Sequence, residues 1–514
     1  MSNNTRLLKK PLFMAIGSAL LVQACAIPTI ETRDPNVSLP EKFSASNELS
    51  TGSSTGLGAD KNNDASNGEA KIEWEAWFND PYLTALVETA VTNNKEVAVL
   101  VQRINMASNE VYAREGEYLP SVSAGAAIET EKVGEYTREG AVEEQLDIRE
   151  GETFPDPLAN LKLGLNASWE VDIWHKLRDA SKVASLEYLA SIESKNFFIT
   201  QLVSEVSRSY YELLALDNKL ANIDATIKLQ RNVIHTINTL KEYGRASSLP
   251  VARFNAEVKK NESERFLIKQ EIVEKENTIN LLLGRMPQPI QRNSNALFSE
   301  DIVKPNIGVP ASLLENRPDI REAELTLQAA NLNIDVAKAN FYPSLELKAG
   351  VGLSAFDSRY LFNVPESLAY SLSGDIFAPL INRRAIEAVY KNASAEQIQA
   401  AYEYELTLLK TVTEVSNSLS KLDNLGRSAD AKKAQISSLE SSVDIANRLF
   451  TSAHGEYLEV LLAQREALEA RSEFIETRQQ QLAALVDLYQ ALGGGWQSSC
   501  LLYTSDAADD LLCV

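Results

Sequence analysis

Apolar residues recur at helical spacing in the early segment "PYLTALVETAVTNNKEVAVLVQRI". The positions that share one helix face are Leu83, Leu86, Val87, Ala90, Val97, Leu100, Val101 and Ile104. This spacing predicts an amphipathic helix. Asp80 is suited to be its N-cap and Pro81 its first residue, and Pro120 ends it.

After Pro120 the pattern changes to alternation, which is typical of strands. The stretch "SVSAGAAIE" alternates, and so does "LKLGLNASWEVDIW", where Leu161, Leu163, Leu165 and Ala167 fall on one face. Between them, residues 129–156 contain ten Asp or Glu against three Lys or Arg and show no apolar period. The pattern predicts two strands joined by a long, acidic, solvated loop.

A long helix follows, because residues 176–243 contain neither proline nor glycine. Its apolar positions step by three or four, the period of a coiled coil: Leu202, Val206, Tyr210, Leu213, Leu216, Leu220, Ile223 and Ile227. A helix of this length extends about 100 Å. The stretch "YGRASSLPV" interrupts it, and a second helix is predicted over residues 252–283.

The same plan then starts again. Asn316 and Pro343 follow Asn93 and Pro120 at one constant offset, and "FYPSLELKAGVG" repeats "YLPSVSAGAAIE" at that same offset. A second strand, "SLAYSLSGDIFAPL", and another heptad-patterned helix follow, until "FTSAHGEYLEVLLAQ" interrupts that helix. The last helix runs to Leu492. Each half is therefore helix, strand, strand, long helix, turn and helix, and the chain is a tandem duplication.

The composition restricts the classes of function that are expected of the chain. The chain has a formal net charge of −21 and a pI near 4.8, which disfavours nucleic acid as a partner. Its three histidines form no metal motif, and neither HExxH nor CxxC occurs. No nucleophile, base and metal ligands cluster in the sequence, so we expect no enzyme activity, no metal site and no cofactor.

The N-terminus resembles a lipoprotein signal. Three basic residues among the first ten precede an apolar run, Leu12–Val22, and then "VQAC". On this interpretation Cys25 is the first mature residue and is diacylated. The next residue is Ala26 and not an aspartate, which favours the outer membrane over the inner membrane. The alternative is an ordinary signal peptide followed by a chance cysteine. No cysteine lies between residues 26 and 499, so a disulfide framework is excluded there.

The strands explain why the chain needs copies of itself. Four strands cannot close a barrel alone, and a membrane does not tolerate open sheet edges. Strands of about ten residues with one apolar face suit a membrane barrel. Strands pooled from several chains, attached to rods of about 100 Å, predict a tube that crosses the periplasm.

Three motifs then carry a family resemblance: "WFNDPYLTALVETAVTNN", "NRPDIREAELTLQAANLNIDVAKANFYPSLEL" and "LYQALGGGW". With the lipobox and the duplication, they resemble the TolC-like outer-membrane efflux factors, in the NodT/OprM-like lipoprotein branch that works with resistance-nodulation-division (RND) pumps. The resemblance implies a mainly α protein with a transmembrane β portion. Tandem-duplicated helical hairpins form a trimeric α-barrel, and four strands per chain contribute to a 12-stranded β-barrel.

The family implies an exit duct in a tripartite efflux system. Its expected partners are two further copies of the chain, a periplasmic adaptor, an RND-type inner-membrane pump and outer-membrane lipid. The expected divisions are a signal peptide (1–24), a lipidated extended leader (25–70), a first efflux repeat (71–284), an equatorial linker (285–310), a second repeat (311–497) and a tail foreign to the family (498–514).

The resemblance also implies site residues at the two helix turns. At the periplasmic gate, Leu458 matches the family's hydrophobic position and Arg465 its arginine, whereas Leu462 replaces the common aspartate. Glu456 or Glu459 is an alternative partner for the arginine. The structural alternative for Leu458 is packing between helices, and for Arg465 it is a solvated charge or an intrahelical pair with Glu469. The first turn resembles the tip that contacts the adaptor: Gly244, Arg245, Ala246, Ser247, Ser248 and Leu249.

Three other functions remain as alternatives. A periplasmic adaptor should have β-rich halves around one hairpin, whereas this chain shows two strand pairs and two hairpins. A structural coiled-coil lipoprotein does not need paired amphipathic strands. A type I secretion exit channel differs from the efflux channel in its cargo, and the sequence does not identify the cargo.

Overall fold

The computed structural model describes residues 27–37, 39–40, 74–149, 151–153, 155–298, 313–452 and 454–496. Eleven helices are found there: α1 (Trp74–Phe78), α2 (Pro81–Asn93), α3 (Lys95–Glu117), α4 (Arg138–Glu143), α5 (Lys176–Glu242), α6 (Ser248–Leu282), α7 (Leu313–Asn316), α8 (Pro318–Ala339), α9 (Ser358–Leu361), α10 (Arg384–Thr451) and α11 (Tyr457–Ala491). A 3-10 helix spans Ser294–Phe298. The strands in these ranges are β1 (Ser121–Glu131), β2 (Asp147–Arg149), β3 (Glu152–Thr153), β4 (Leu158–Val171), β5 (Ser344–Ala355) and β6 (Leu368–Phe377).

The first predicted helix is two helices, α2 and α3, because Asn94 interrupts it. Asn94 has extended backbone dihedrals, and its Oδ1 accepts hydrogen bonds from the amides of Glu96 (2.8 Å) and Val97 (3.1 Å). It therefore caps α3. Asp80 caps α2 as the sequence predicts, since its carboxylate accepts from the amides of Tyr82 and Leu83.

The acidic loop between β1 and β4 carries short elements that its composition does not predict. They are helix α4 and the β2–β3 hairpin. Thr137 caps α4 by accepting a hydrogen bond from the Gly140 amide. The loop is therefore locally folded where sequence periodicity indicates only a solvated segment.

Strands β1, β4, β5 and β6 form one antiparallel sheet in the order β1-β4-β5-β6. Its register separates two faces. One row crosses all four strands as Val122, Ala167, Ala349 and Leu372, and the next row on the opposite face is Ser121, Ser168, Lys348 and Ser373. Alternation along each strand thus gives the sheet one apolar and one polar face.

The described residues divide into two compact units. The first takes its residues from 1–34, 105–188 and 325–401 and contains the four-stranded sheet. A small core there joins Phe341 and Tyr390, and Ile27 and Ile30 of the leader pack against it. Gln397 holds the same leader, because its amide accepts from the Arg33 nitrogen (2.9 Å) and donates to the Arg33 oxygen (2.7 Å).

The second unit takes its residues from 35–104, 189–324 and 402–514. Its largest core includes Tyr210 and Tyr489, each at most 1% exposed, and packs α2, α5 and α11 together. In the part of the chain that the structure describes, no helix is both long and apolar enough to cross a membrane.

Candidate functional site at the paired helix turns

The first turn joins α5 to α6 through a glycine cap. Gly244 has a φ of +69°, its amide donates to the Lys241 oxygen (2.9 Å), and the Arg245 amide donates to the Leu240 oxygen (2.8 Å). This pair of bonds and the left-handed residue make a Schellman cap. A Cβ on Gly244 would meet no atom within 4 Å, so only the backbone conformation requires glycine.

The residues of the first predicted tip are mostly exposed. Gly244, Arg245, Ser247 and Ser248 are exposed, Leu249 is 54% exposed, and Ala246 is half-buried. The role of this tip in adaptor contact stays a prediction.

The second turn joins α10 to α11 without a left-handed glycine in its described part. The amides of His454 and Gly455 both donate to the Leu449 oxygen, at 2.9 and 3.1 Å. A Cβ on Gly455 would lie 3.0 Å from the Leu449 Cβ, so close packing favours glycine here. The turn differs from the first in chemistry but occupies the same place in its repeat.

A small core brings the two turns together. Ile237 of α5, Phe254 of α6 and Val460 of α11 are each at most 1% exposed and form one apolar cluster. Ala246 of the first turn and Phe450 at the end of α10 pack against it. The sequence identifies both turns, but it does not show that they meet, because the residues that join them belong to different repeats.

The two predicted gate residues lie two turns apart on α11 and differ in exposure. Leu458 is half-buried, whereas Arg465 is exposed. Within the described residues Arg465 forms no ion pair with Glu469, Glu456 or Glu459, so its exposure agrees with the alternative of a solvated charge. Their gating roles stay predictions. Leu462, in the place of the usual aspartate, is 37% exposed.

At the other end of each hairpin, a glycine closes against an asparagine carbonyl. Gly284 follows α6 with a φ of +66°, and Gly493 follows α11 with a φ of +85°. A Cβ at either position would come closer than 3.0 Å to a carbonyl oxygen, that of Asn93 for the first glycine and Asn316 for the second. We call these contacts the first clasp and the second clasp.

A side chain adds a hydrogen bond to each clasp. In the first, Asn94 Nδ2 donates to the Leu282 oxygen (2.9 Å), and in the second, Arg317 Nη1 donates to the Ala491 oxygen (3.1 Å). These two donors occupy matching positions of the two repeats, as do the asparagines beside them. Sequence analysis detects this repeat spacing but not the clasps.

Arg317 is 4% exposed and its charge is compensated. It pairs with Asp319 (2.6 Å) and Glu414 (2.8 Å). Burial works against the charged form, but these two carboxylates outweigh it, and the pKa of Arg317 is raised above its ordinary value. Trp496 Nε1 donates to the Asn316 oxygen (3.1 Å), which ties the "GGGW" segment to the same place.

No catalytic or metal chemistry emerges from this geometry. Among the described residues, no three or more histidine, cysteine, aspartate or glutamate side chains are arranged to hold a metal ion. Cys25, the predicted lipidation residue, lies outside the described residues. The described site therefore consists of helix ends held at defined positions.

Comparison with known proteins identifies the family. The sequence profile described as "Outer membrane efflux protein" matches residues 86–285 and 309–494, which is most of the chain. The chain belongs to the outer membrane efflux protein family. This family consists of channel proteins and not enzymes, and the protein is accordingly an outer-membrane component of an efflux system.

Individual relatives are similar over most of their length. The probable efflux pump outer membrane protein SepC of Pseudomonas putida is 26% identical over 436 residues, covering 84% of this chain and 87% of SepC. The cation efflux system protein CusC of Escherichia coli O6:H1 is 27% identical over 428 residues, covering 82% of this chain and 88% of CusC. The outer-membrane channel OprN has the same fold, with a TM-score of 0.76, 21% identity, and coverage of 92% of this chain and 100% of OprN.

Proposed function

We propose that this protein is the exit channel of a tripartite efflux system and works as a homotrimer. In this proposal an RND-type inner-membrane pump and a periplasmic adaptor deliver substrate, and the channel conducts it passively through the outer membrane. One observation carries the assembly: matching positions of the two repeats differ in burial.

Helices α6 and α11 are matching helices, each of 35 residues, so that Ser248 of the first repeat corresponds to Tyr457 of the second. On α11, Ile475 and Leu482 are 4% and 6% exposed. At the matching positions of α6, Phe266 and Val273 are 66% and 48% exposed. Duplicated helices with apolar residues at the same positions require equivalent neighbours.

For α11 the neighbour is α5 of the same chain. The two helices share the largest core, and Arg208 of α5 pairs with Asp487 of α11 at 2.7 Å. The matching neighbour of α6 is α10, which follows in the second repeat. We infer that α10 of a second copy covers Phe266 and Val273. The first repeat of each copy then packs against the second repeat of its neighbour, and the copies form a ring.

The sheet supports the same arrangement. In the described residues β1 and β6 each pair on one side only, and every residue of both strands is exposed. A membrane does not accommodate such free edges. In a ring, β6 of one copy pairs with β1 of the next, and three copies of four strands give the 12-stranded barrel.

Cross-linking tests the assembly. The Arg208–Asp487 contact maps, by the repeat spacing, onto Asn417 of α10 and Thr278 of α6. In a protein with Cys500 and Cys513 replaced by serine, T278C combined with N417C should form covalent dimers and trimers with a short bismaleimide. Each single-cysteine variant is the control and should stay monomeric on a denaturing gel. A protein that is monomeric in detergent, with no cross-linked species, contradicts the trimer.

Transport is tested in cells. Deletion of the gene should sensitise the cells to compounds that the system exports, and the intact gene should restore resistance. Unchanged susceptibility together with unchanged secretion contradicts the exit-channel function.

The gate is tested separately from transport. If Leu458 lines the constriction, Leu458→Ser should admit antibiotics that are too large to enter otherwise, and Arg465→Ala should do so more weakly. The matched control is Leu249→Ser, at the corresponding position of the first repeat. Equal permeability of the Leu458 and Leu249 variants contradicts the gate assignment.

The remaining assignments complete the proposal. Residues 244–249 contact the adaptor, and Cys25 carries the lipid that anchors the leader to the outer membrane. The divisions of the chain are those stated from the sequence, with repeats at 71–284 and 311–497 around the linker 285–310. Metabolic labelling with palmitate tests the anchor, because Cys25→Ser should abolish the label.

A further inference from the structure

Polar side chains interrupt the apolar seam just beyond the core that joins the two turns. Gln230 of α5 and Asn261 of α6 are 2% and 5% exposed, and Asn261 Nδ2 donates to Gln230 Oε1 at 3.0 Å. Gln464 of α11 is 3% exposed. Three buried amide side chains therefore come from three different helices near the end of the hairpins.

Two contacts place these amides at the same level. Ile237 of α5 and Val460 of α11 share the core at the turns, and Asn222 Nδ2 of α5 donates to the Leu468 oxygen of α11 at 3.2 Å. The two helices run antiparallel. Asn222 Nδ2 also lies 3.3 Å from Ser472 Oγ, and Gln230 is eight residues from Asn222 as Gln464 is eight residues from Ser472, so the two glutamines lie at about the same level of the antiparallel pair.

Gln464 differs from the other two amides in its hydrogen bonding. Neither its Nε2 nor its Oε1 has a hydrogen-bond partner among the residues that the structure describes, although both atoms are buried. Buried polar groups of folded proteins are nearly always hydrogen-bonded, and leaving one unsatisfied is unfavourable. The described packing of α11 against α5 and α6 therefore has a free-energy cost at the Gln464 side chain.

We propose that Gln464 is a positioning residue that sets the balance between two packings of the hairpins at the channel end. The described packing leaves its amide unsatisfied. In the second packing α11 shifts relative to α5 and α6, and the amide bonds to the Gln230–Asn261 pair. This inference rests on the proposed channel function, because a channel end that opens and closes gives two such packings a role.

The first step of the test determines whether the described packing is the open or the closed state of the channel. Asn222 Nδ2 lies 3.3 Å from Ser472 Oγ, which joins α5 to α11. A disulfide between N222C and S472C, in a protein with Cys500 and Cys513 replaced by serine, should hold the described packing. Its single-channel conductance in a planar bilayer then defines this packing as open or closed.

The second step measures the balance. Gln464→Leu removes the amide at similar volume, so the ratio of the two states should shift about tenfold toward the disulfide-trapped state. Gln464→Met should shift it in the same direction. Gln480→Leu, which replaces an exposed glutamine of the same helix, is the matched control and should leave the ratio unchanged.

The outcomes separate the two proposals. A conducting wild-type protein whose ratio is unaffected by Gln464→Leu, or moves away from the trapped state, contradicts the role of Gln464 alone. A purified protein that conducts neither as the wild type nor as the gate variant Leu458→Ser contradicts the channel function itself, and this inference with it.

Discussion

The two clasps have the same backbone geometry but different side-chain chemistry. Each brings a left-handed glycine against the carbonyl of an asparagine, Gly284 with Asn93 and Gly493 with Asn316. The first clasp is completed by a neutral amide and the second by a buried guanidinium with two carboxylate partners. Duplication has thus retained the close backbone approach, while the donor has diverged.

The two donors also differ in what they do for the helix that follows. Asn94 must also cap α3, because the amides of Glu96 and Val97 need an acceptor. Arg317 precedes Pro318, the first residue of α8, which has no amide hydrogen to satisfy. Arg317 has no acceptor atom and cannot cap α8 as Asn94 caps α3, and its charge is compensated by Asp319 and Glu414.

The largest effect is expected from filling the space that both clasps keep empty. Gly284→Val and Gly493→Val should each lower the free energy of unfolding by more than about 4 kcal/mol, since the side chain meets a carbonyl in a strained conformation. Gly244→Ala is the control. The φ of Gly244 is also positive, but a Cβ there would have no atom of the described residues within 4 Å, so this variant should lower the free energy of unfolding by only about 1 kcal/mol. Chemical denaturation in detergent measures all three. A Gly244 variant as unstable as the clasp variants would remove the argument for a close approach.

The second expected effect distinguishes the two donors. Arg317→Met leaves half-buried Asp319 without the buried guanidinium that pairs with it and should cost about 3 kcal/mol. Asn94→Ala loses a helix cap and one hydrogen bond and should cost roughly 1–2 kcal/mol. The same denaturation experiment compares them. Equal losses would mean that the charged clasp contributes no more than the neutral one.

An ion pair between the two repeats should make the free energy of unfolding depend on pH. Glu193 of α5 is 6% exposed and pairs with Arg321 of α8 at 2.7 Å. Burial raises the pKa of Glu193 above its ordinary value of 4.5, although Arg321 and Asn196 oppose the shift. Because the folded protein then holds this proton more tightly than the unfolded chain, stability should fall as pH rises from that value through the raised pKa.

Glu193→Gln should remove that part of the pH dependence. The melting temperature of the variant, measured from pH 4 to 8, should vary less than that of the wild type. At the position that matches Arg321, the first repeat has Ala98, so this ion pair has no counterpart between those positions. A variant that keeps the full wild-type slope assigns the titration to another group.

The smallest change in stability is expected at an ion pair that occurs in both repeats with its positive and negative residues exchanged. Arg231 of α5 pairs with Glu262 of α6, and at the matching positions of the second repeat Glu440 of α10 pairs with Arg471 of α11. Arg231→Gln and Arg471→Gln should each cost less than about 1 kcal/mol, because these ion pairs are largely exposed. Combining Arg231→Glu with Glu262→Arg gives the first repeat the order of the second and should restore wild-type stability. A clear loss in the exchanged variant would show that neighbouring charges fix the orientation.

The repeated elements of this protein can be predicted from its amino-acid sequence alone. Heptad spacing identified the long helices, alternation identified four strands, and the breaks near Gly244 and Gly455 located both turns. The sequence also supplied the family, through motifs that occur in order. These features are readable because the apolar face of a helix or strand is a local property of its own residues.

The contacts between these residues are visible only in the tertiary structure. It joined Ile237 to Val460 at the turns, Gly493 to Asn316 at the second clasp, and left the Gln464 amide buried without a partner. Such partners lie far apart along the chain, and periodicity carries no information about that pairing. Their identity depends on how whole helices pack, because burial and hydrogen bonding are set by neighbours in space and not by neighbours along the chain.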